Sequence, residues 1–258
     1  MHNIKNTKSY FNEKSDLRKS GLRKYQAHLF DLDGTLVVSE ELKGKALAIA
    51  CSKYREYEED GKNEKDREHC EHKQHGQELD FNIYKPVMGE SWAVVTDHFF
   101  SIADISPERA AFDKTFHSIY KKLLHEQAKL TAYAKNYLLS LKQKGCQLGV
   151  VSSAATWMVE QLLEQLCIAS LFDVVITGDD VTKHKPDPEA YQLALSKISM
   201  ACKDVLVYED SWAGLMAAKG AGCDVIAVQH DFNVENDLSL AMSMITDFSV
   251  ESIRQITI

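Results

Sequence analysis

Short, unbroken apolar runs recur along the chain and predict the strands of a sheet. Each run is rich in aliphatic and β-branched residues, lacks polar alternation and is bounded by turn-forming residues. The runs are Ala27–Leu32, Gln147–Ser152, Phe172–Thr177, Val205–Tyr208 and Val225–Val228. Because strands that are apolar on both faces are typical of parallel sheets covered by helices, we expect these runs to lie inside an α/β domain.

Helical patterns alternate with these runs. Apolar residues recur three and four positions apart in the stretches Tyr133–Lys144, Thr156–Cys167, Pro186–Lys197 and Trp212–Ala221. Strands that are separated by helices predict a parallel sheet wound with right-handed crossovers. The core is therefore expected to be a Rossmann-like α/β fold.

One long interval interrupts the alternation. Between about Val38 and about Leu130 there is no buried strand pattern, and the helical patterns are Ser39–Tyr57, Glu90–Ser101 and Pro107–Leu130. We predict an all-helical cap domain, residues 38–130, inserted into a core domain that comprises residues 26–37 and 131–258. Because the insert leaves the chain directly after the first strand, we expect it to act as a lid over the end of that strand.

Two charged segments fit neither pattern. Residues 1–25 are polar and lysine-rich without the apolar region of a secretory signal, so they are predicted to be a flexible basic tail. The run Glu56–Leu79 contains His69, Cys70, His72 and His75. The spacing of His72 and His75 would allow a metal site on a helix, whereas the lack of apolar anchors favours a solvated or partly disordered loop.

Composition narrows the class of protein. The chain has 258 residues and a net charge of -8, which argues against nucleic acid as a partner. No apolar run is long enough to cross a bilayer, so no membrane association is expected. Six scattered cysteines without a C-x-x-C pair predict reduced thiols and a cytoplasmic location.

The first strand runs into two aspartates and a glycine turn. Asp31 and Asp33 alternate with Leu32, so at strand periodicity both carboxylates point to one face. They lie at the carboxyl end of a strand, which is the ligand-binding edge of a parallel α/β sheet. Two like charges this close are stable when a divalent cation bridges them or when the two groups have different tasks. The pair therefore predicts a catalytic site.

Polar residues also follow three later strands, so four clusters are expected to meet at one sheet edge. Ser152 and Ser153 end the second strand just before a helix, where a hydroxyl and free N–H groups can hold a phosphate or simply cap the helix. Lys185 precedes two prolines after the third strand, and Glu209 and Asp210 end the fourth. Acidic residues that leave a buried strand need a cation as partner.

These motifs resemble those of the haloacid dehalogenase superfamily, in the branch with a helical cap after the first strand that includes β-phosphoglucomutase and phosphatases. The resemblance covers about Ala27 to about Thr246. Asp31-Leu32-Asp33-Gly34-Thr35 matches the first motif, and Ser152 matches the second. Lys185 in Lys-Pro-Asp-Pro matches the third motif, and Glu209-Asp210-Ser211 with Gly214 matches the fourth.

The resemblance implies a role for each matched residue. Asp31 is the expected nucleophile, forming an aspartyl-phosphate, and Asp33 the expected general acid and base. A Mg²⁺ ion is expected on Asp31, the backbone carbonyl of Asp33, Asp210 and, directly or through water, Glu209. Phosphate binding is expected from Lys185, Ser152 and Ser153. The implied substrate is a small phosphorylated metabolite such as a sugar phosphate, and the implied protein is a phosphatase that is monomeric or weakly oligomeric.

Other activities are weighed against hydrolysis of a phosphate ester. A dehalogenase has no need of an acid at Asp33. A phosphoglucomutase must hold a second phosphate with a cap arginine, and the matching segment Met88-Gly89-Glu90-Ser91-Trp92 carries Trp92 there instead. Trp92 is either part of the cap core or a residue that lines the substrate pocket. Lys43 on the first cap helix is either an ordinary solvated lysine or lines the same pocket. A non-catalytic binding protein would lack one of the motif residues, and all of them are present.

Overall fold

Six parallel strands form a single sheet. The computed structural model describes residues 25–60, 79–90 and 92–256. The strands are β1 (Ala27–Phe30), β2 (Gln147–Val151), β3 (Val174–Ile176), β4 (Val205–Glu209), β5 (Asp224–Val228) and β6 (Ser243–Ile245). Their order in the sheet is β3-β2-β1-β4-β5-β6, so the strand that precedes the two aspartates has a neighbour on each side.

Eight α-helices accompany the sheet in the described residues. They are α1 (Glu40–Asp60), α2 (Trp92–Ala103), α3 (Arg109–Gln127), α4 (Ala134–Gln143), α5 (Thr156–Gln165), α6 (Glu189–Ile198), α7 (Trp212–Gly220) and α8 (Val250–Arg254). Short 3₁₀ helices span Phe81–Val87, Ala169–Leu171, Gly178–Asp180 and Cys202–Asp204. The prediction of a Rossmann-like α/β core with an all-helical insert is confirmed, since Ser39–Ala128 contains no strand in its described part.

The strand registers bring the ends of three strands to the same level. Phe30 of β1 pairs with Val150 of β2 on one side and with Tyr208 of β4 on the other. All four residues of β1 are buried, as expected for its three apolar residues, and His28 is buried with them. The residues that follow each strand therefore leave the sheet side by side at its carboxyl edge.

A group of aromatic residues and one histidine fills part of the core. His28 is 1% exposed, its Nδ1 lies 3.2 Å from the Tyr208 hydroxyl, and its ring stacks on that of Tyr208 with 5.9 Å between centroids. The Tyr208 hydroxyl lies 2.5 Å from that of Tyr137, and the Tyr137 ring stacks on Phe248. Buried tyrosine hydroxyls need partners, and this chain of contacts supplies them.

Contacts divide the chain into two compact units. One is Ser39–Ala128, and the other comprises the residues up to Val38 and from Lys129 onward. In the helical unit α1 packs on α3, and the buried side chains include Phe99, Phe112 and Tyr120. The predicted basic tail lies outside the described residues except for Tyr25, which is buried and donates its hydroxyl to Asp224 at 2.6 Å, so the prediction of a flexible tail is wrong at this position. In the histidine-rich run, residues 56–60 belong to α1, whereas His69, Cys70, His72 and His75 lie outside the described residues.

The two chain passages that join the units pair with each other. Val38 N–H donates to the Lys129 carbonyl at 3.0 Å, and Thr131 N–H donates to the Leu36 carbonyl at 2.9 Å. An antiparallel bridge joins Val37 to Leu130 between these two hydrogen bonds. The insert therefore enters and leaves the core at one point.

The start of one predicted helix differs from the structure, and two short elements were not predicted. The third core helix was expected from Pro186 but α6 begins at Glu189, because Pro188 serves as its N-cap with helical backbone angles. β6 and α8 were not predicted. β6 has three residues, of which Met244 is exposed, so it lacks the apolar run that marks the other strands.

Candidate active site

Asp31 is held at the centre of the carboxyl edge of the sheet. It follows β1 directly, and its backbone N–H donates to the Tyr208 carbonyl at 2.9 Å, extending the pairing of β1 with β4 by one residue. The residue is only 7% exposed. A hydrogen bond to the neighbouring strand therefore fixes the backbone that carries the Asp31 carboxylate.

Lys185 joins three separate segments of the chain. Its Nζ lies 2.6 Å from Asp31 Oδ1, 2.5 Å from Glu209 Oε1 and 2.9 Å from the Val151 carbonyl. These three acceptors match the three donors of an ammonium group. Lys185, which follows β3 in the chain, thus connects the ends of β1, β2 and β4. The residues after these four strands were expected to meet at one edge of the sheet.

The loop that carries Lys185 is tied to the helix after it. The Glu189 carboxylate at the start of α6 accepts hydrogen bonds from the N–H groups of Thr182 at 2.9 Å and Lys183 at 3.0 Å. The Lys185–Pro186 peptide is cis. The Lys185 side chain is 6% exposed, whereas that of Lys183 is 71% exposed and lies 3.8 Å from Asp187. Of these two lysines, only Lys185 is buried among the acidic residues.

Three buried carboxylates form one group. Asp31, Glu209 and Asp210 each offer an oxygen within 4.8 Å of the others. Glu209 is fully buried, and the Tyr191 hydroxyl donates to its Oε1 at 2.6 Å. The side chain of Asp33 is not part of this group among the described residues, and Asp33 is half-buried.

Two glycines make room for the acidic side chains. A Cβ at Gly34 would lie 2.0 Å from Asp210 Oδ2, and one at Gly214 would lie 2.0 Å from Glu209 Cδ. Gly34 also has φ +79°, a left-handed conformation that glycine adopts without strain. The motif glycines are therefore required by the close approach of the two carboxylates.

Burial and crowding perturb the titration of the group. Burial raises the pKa of the Asp31 carboxyl well above its usual range; Lys185 opposes this shift, while Glu209 and Asp210 add to it. For the Lys185 ammonium, burial alone would lower the pKa. The carboxylates of Asp31 and Glu209 outweigh that effect and raise the pKa above its ordinary value.

The donor set fits a hard divalent cation. With all three carboxylates ionised, the single ammonium of Lys185 leaves two negative charges uncompensated in a buried group. A cation of charge two that prefers oxygen ligands would balance them. The residues present are thus suited to the metal that the acidic motifs predict.

The predicted phosphate-binding serines lie at the same edge. The Ser152 hydroxyl accepts a hydrogen bond from the Ala154 N–H at 3.0 Å and is buried, whereas Ser153 is exposed. This bond uses one lone pair of the hydroxyl and leaves its proton to be donated. Ser152 N–H donates to the Ile176 carbonyl, which extends β2 past its last residue.

Sequence reasoning missed three residues that contact the acidic group. Tyr191 was expected only as part of a helix face, although its buried hydroxyl needs a partner. His230 and Asn233 follow β5, and both hydrogen-bond to Asp210. The rule that found the other clusters, polar residues just past a strand end, also applies to the predicted strand Val225–Val228 and would have found them.

The two predicted cap residues make contacts within the helical unit. The Trp92 indole N–H donates to Asp113 at 2.8 Å, and its ring packs on that of Phe116 at 4.6 Å between centroids. The Lys43 ammonium lies 5.4 Å from the centre of the Tyr84 ring. The indole of Trp92 is therefore bound to a partner inside this unit.

Comparison with known proteins identifies the family. The sequence profile of the haloacid dehalogenase-like hydrolases matches residues 28–228. The validoxylamine A 7′-phosphate phosphatase of Streptomyces hygroscopicus subsp. limoneus is 30% identical over 86% of this chain and 95% of its own. The chain belongs to the haloacid dehalogenase-like hydrolase family.

Other relatives agree with this assignment. A phosphorylated carbohydrates phosphatase of Thermotoga maritima is 27% identical over 81% of this chain and 87% of its own. The solved β-phosphoglucomutase of Clostridium difficile shares the fold, with a TM-score of 0.64, 18% identity and coverage of 86% of this chain and 91% of that one. The predicted family and branch are confirmed, and the phosphatase relatives support the predicted phosphoric monoester hydrolase.

Among the helices that the structure describes, none combines the length and the apolar character that a bilayer crossing requires.

Proposed function

We propose that the protein is a Mg²⁺-dependent phosphatase that hydrolyses a small phosphorylated metabolite of the sugar phosphate class. The observation that carries the proposal is the position of the Lys185 ammonium, 2.6 Å from Asp31 Oδ1 and 2.5 Å from Glu209 Oε1. Residues from three of the four family motifs meet at this one buried cation.

The first step is attack on phosphorus by an oxygen of Asp31. An Asp31–phosphorus bond forms, the bond from phosphorus to the ester oxygen breaks, and Asp33 donates a proton to the departing alkoxide. Lys185 holds the attacking carboxylate and lies where negative charge accumulates on the phosphoryl oxygens. Ser152 donates its hydroxyl proton to one of those oxygens.

The second step releases phosphate. Asp33, now ionised, removes a proton from water as the water oxygen attacks phosphorus, and the bond to Asp31 breaks. Asp31, Asp210, the Asp33 carbonyl and Glu209 would hold the Mg²⁺, which when bound supplies positive charge to the phosphoryl group. The fully buried Tyr191–Glu209 pair keeps the Glu209 carboxylate in a fixed orientation.

The substrate class is supported by a relative. The Thermotoga maritima protein is named for phosphorylated carbohydrates. Simple hydrolysis is favoured over a mutase because Trp92, where the resemblance places a phosphate-binding arginine in mutases, donates its N–H to Asp113 inside the helical unit. A cytoplasmic location and a monomeric or weakly oligomeric state stay predictions.

Phosphate release from esters tests the proposal. Metal-free protein is assayed with p-nitrophenyl phosphate and a panel of phosphate esters that includes glucose 1-phosphate isomers, with and without Mg²⁺. We expect Mg²⁺-dependent release that Asp31→Asn abolishes and that Glu235→Gln, a change at an exposed carboxylate, leaves intact. Conversion of one sugar phosphate into another without free phosphate would instead establish a mutase.

A further inference from the structure

The loop after β5 is bound to the end of β4 through one asparagine. Asn233 is fully buried, and its Nδ2 donates to the Asp210 carbonyl at 2.8 Å and to the Val228 carbonyl at 2.9 Å. Its Oδ1 accepts from the His230 N–H at 2.8 Å. The asparagine thus fixes the backbone of both Asp210 and His230.

Hydrogen bonding identifies the tautomer of His230. Its Nδ1 lies 3.2 Å from the backbone nitrogen of Phe232, which can only donate, so Nδ1 is the acceptor and carries no proton. The ring proton is therefore on Nε2, which lies 3.0 Å from Asp210 Oδ2. His230 therefore donates a hydrogen bond from Nε2 to this carboxylate.

Asp210 is held on two sides. Oδ2 of Asp210 lies against Gly34, where a Cβ would approach it to 2.0 Å, and the same Cβ would lie 3.0 Å from His230 Nε2. The Asp210 side chain is 4% exposed and that of His230 is 23% exposed. Because one oxygen is fixed by the glycine turn and the imidazole, the plane of the carboxylate and the direction of its other oxygen are fixed as well.

We propose that His230 is a positioning residue for the cation site: through its Nε2–H it orients the Asp210 carboxylate, and Asn233 holds the imidazole in place. The inference rests on the proposed metal site. Hydrogen-bond partners that orient metal ligands contribute to affinity because a freely rotating ligand loses entropy on binding. Removing such a partner typically weakens metal binding by about 10- to 100-fold.

The test compares two amides of different length at position 230. In His230→Gln the amide nitrogen reaches the place of Nε2 and can still donate to Asp210. In His230→Asn the amide oxygen takes the place of Nδ1 and can accept from Phe232, but the side chain is too short to reach Asp210. Both variants keep a polar side chain of similar size at a partly exposed position, so general effects on folding are matched.

The readout is binding of Mg²⁺ alone to metal-free protein, measured by titration calorimetry without substrate, with thermal unfolding in EDTA to compare the folds. We expect His230→Asn to weaken Mg²⁺ binding by about 10- to 100-fold and His230→Gln to stay close to wild type. His117→Asn, at an exposed histidine of α3, should have no effect.

Two results would overturn the inference while leaving the proposed function intact. One is wild-type Mg²⁺ affinity in His230→Asn, and the other is an equal loss in both amide variants. If the wild-type protein itself binds no Mg²⁺, the proposed metal dependence fails first and the inference fails with it.

Discussion

Lys185 and Glu209 form an ion pair that is almost completely withdrawn from water. The distance from Nζ to Oε1 is 2.5 Å, and the side chains are 6% and 0% exposed. Ions buried in this way stabilise a protein only while each keeps its partner, because an unpaired buried charge is costly. The pair therefore connects the stability of the core to the charge of the candidate active site.

Replacing Lys185 should impair both folding and catalysis. Lys185→Met leaves Asp31 and Glu209 without their cation, so we expect the free energy of unfolding to fall by about 3–5 kcal/mol. Phosphate release should fall by about 100- to 1000-fold. Urea denaturation in EDTA and the ester assay measure the two effects.

Lys183→Met is the matched control for this change. Lys183 lies two residues away in the same loop, with a side chain that is 71% exposed. Exposed ion pairs contribute little, so stability should change by less than about 1 kcal/mol. Equal stability of the two methionine variants would show that the buried pair does not hold the site together.

Gly34→Ala should displace Asp210. The new Cβ would meet Asp210 Oδ2 at 2.0 Å and would require a left-handed backbone at φ +79°. Gly145 has φ +80° with nothing within 4 Å of a Cβ, so Gly145→Ala isolates the backbone strain, about 1–2 kcal/mol. Gly34→Ala should cost about 1–3 kcal/mol more in unfolding free energy and should weaken Mg²⁺ binding, which Gly145→Ala leaves unchanged. Equal costs for the two variants would contradict the close contact.

Thr35→Val should stabilise the protein. The Thr35 hydroxyl is buried and has no hydrogen-bond partner among the residues that the structure describes, so an isosteric methyl removes a desolvation penalty of about 1 kcal/mol. Thr131→Val is the opposite case, since Thr131 Oγ1 donates to the Thr35 carbonyl at 2.6 Å, and the loss should destabilise by about 1 kcal/mol. Chemical denaturation of both variants measures these shifts, and destabilisation by Thr35→Val would indicate a partner for that hydroxyl.

His28 should make stability fall in mild acid. Burial, with a contribution from the Lys144 charge, lowers its pKa from 6.5 to about 3. Below pH 6.5 the unfolded chain binds a proton that the folded one does not. The contribution of His28 to the free energy of unfolding is therefore fully present above pH 6.5. It is lost as pH falls toward about 3, by up to about 1.4 kcal/mol per pH unit.

His28→Asn tests this dependence because it removes the titrating ring. Urea denaturation at pH 7, 6 and 5 should show a shallower loss of unfolding free energy in the variant than in the wild type. His117→Asn, at an exposed histidine, should keep the wild-type slope. Parallel slopes for His28→Asn and wild type would rule out a buried neutral histidine.

The strands of the sheet and the main acidic residues were predictable because each is encoded by a short, continuous stretch of sequence. Apart from His28 in β1, both β1 and β4 are apolar up to their carboxyl ends, and charged residues stand at the end of β4 and directly after each strand. Parallel pairing then brings those ends together whatever the details of the loops. This is why Asp31, Glu209 and Asp210 could be placed together from the sequence.

The contacts among those residues were not predictable in the same way. That Lys185 pairs with Glu209, or that Tyr191 donates to it, depends on the register between segments and on rotamers selected by packing. The beginning of α6 depends on a proline that serves as N-cap, and β6 is too short to carry a pattern. Such features arise from tertiary contacts that no single stretch of sequence encodes.

The paired passages at Val38 and Lys129 affect how the core tolerates changes in the length of the insert. The residues on either side of the insert are hydrogen-bonded to each other, so the insert is a loop whose ends are already closed. Because the entropic cost of closing a loop rises only slowly with its length, a longer insert would destabilise the core little. A whole helical unit can be lengthened or exchanged there while Asp31, Glu209 and Asp210 keep their positions. A change confined to Ser39–Ala128, 90 of the 258 residues, can thus leave the fold of the other unit unaltered.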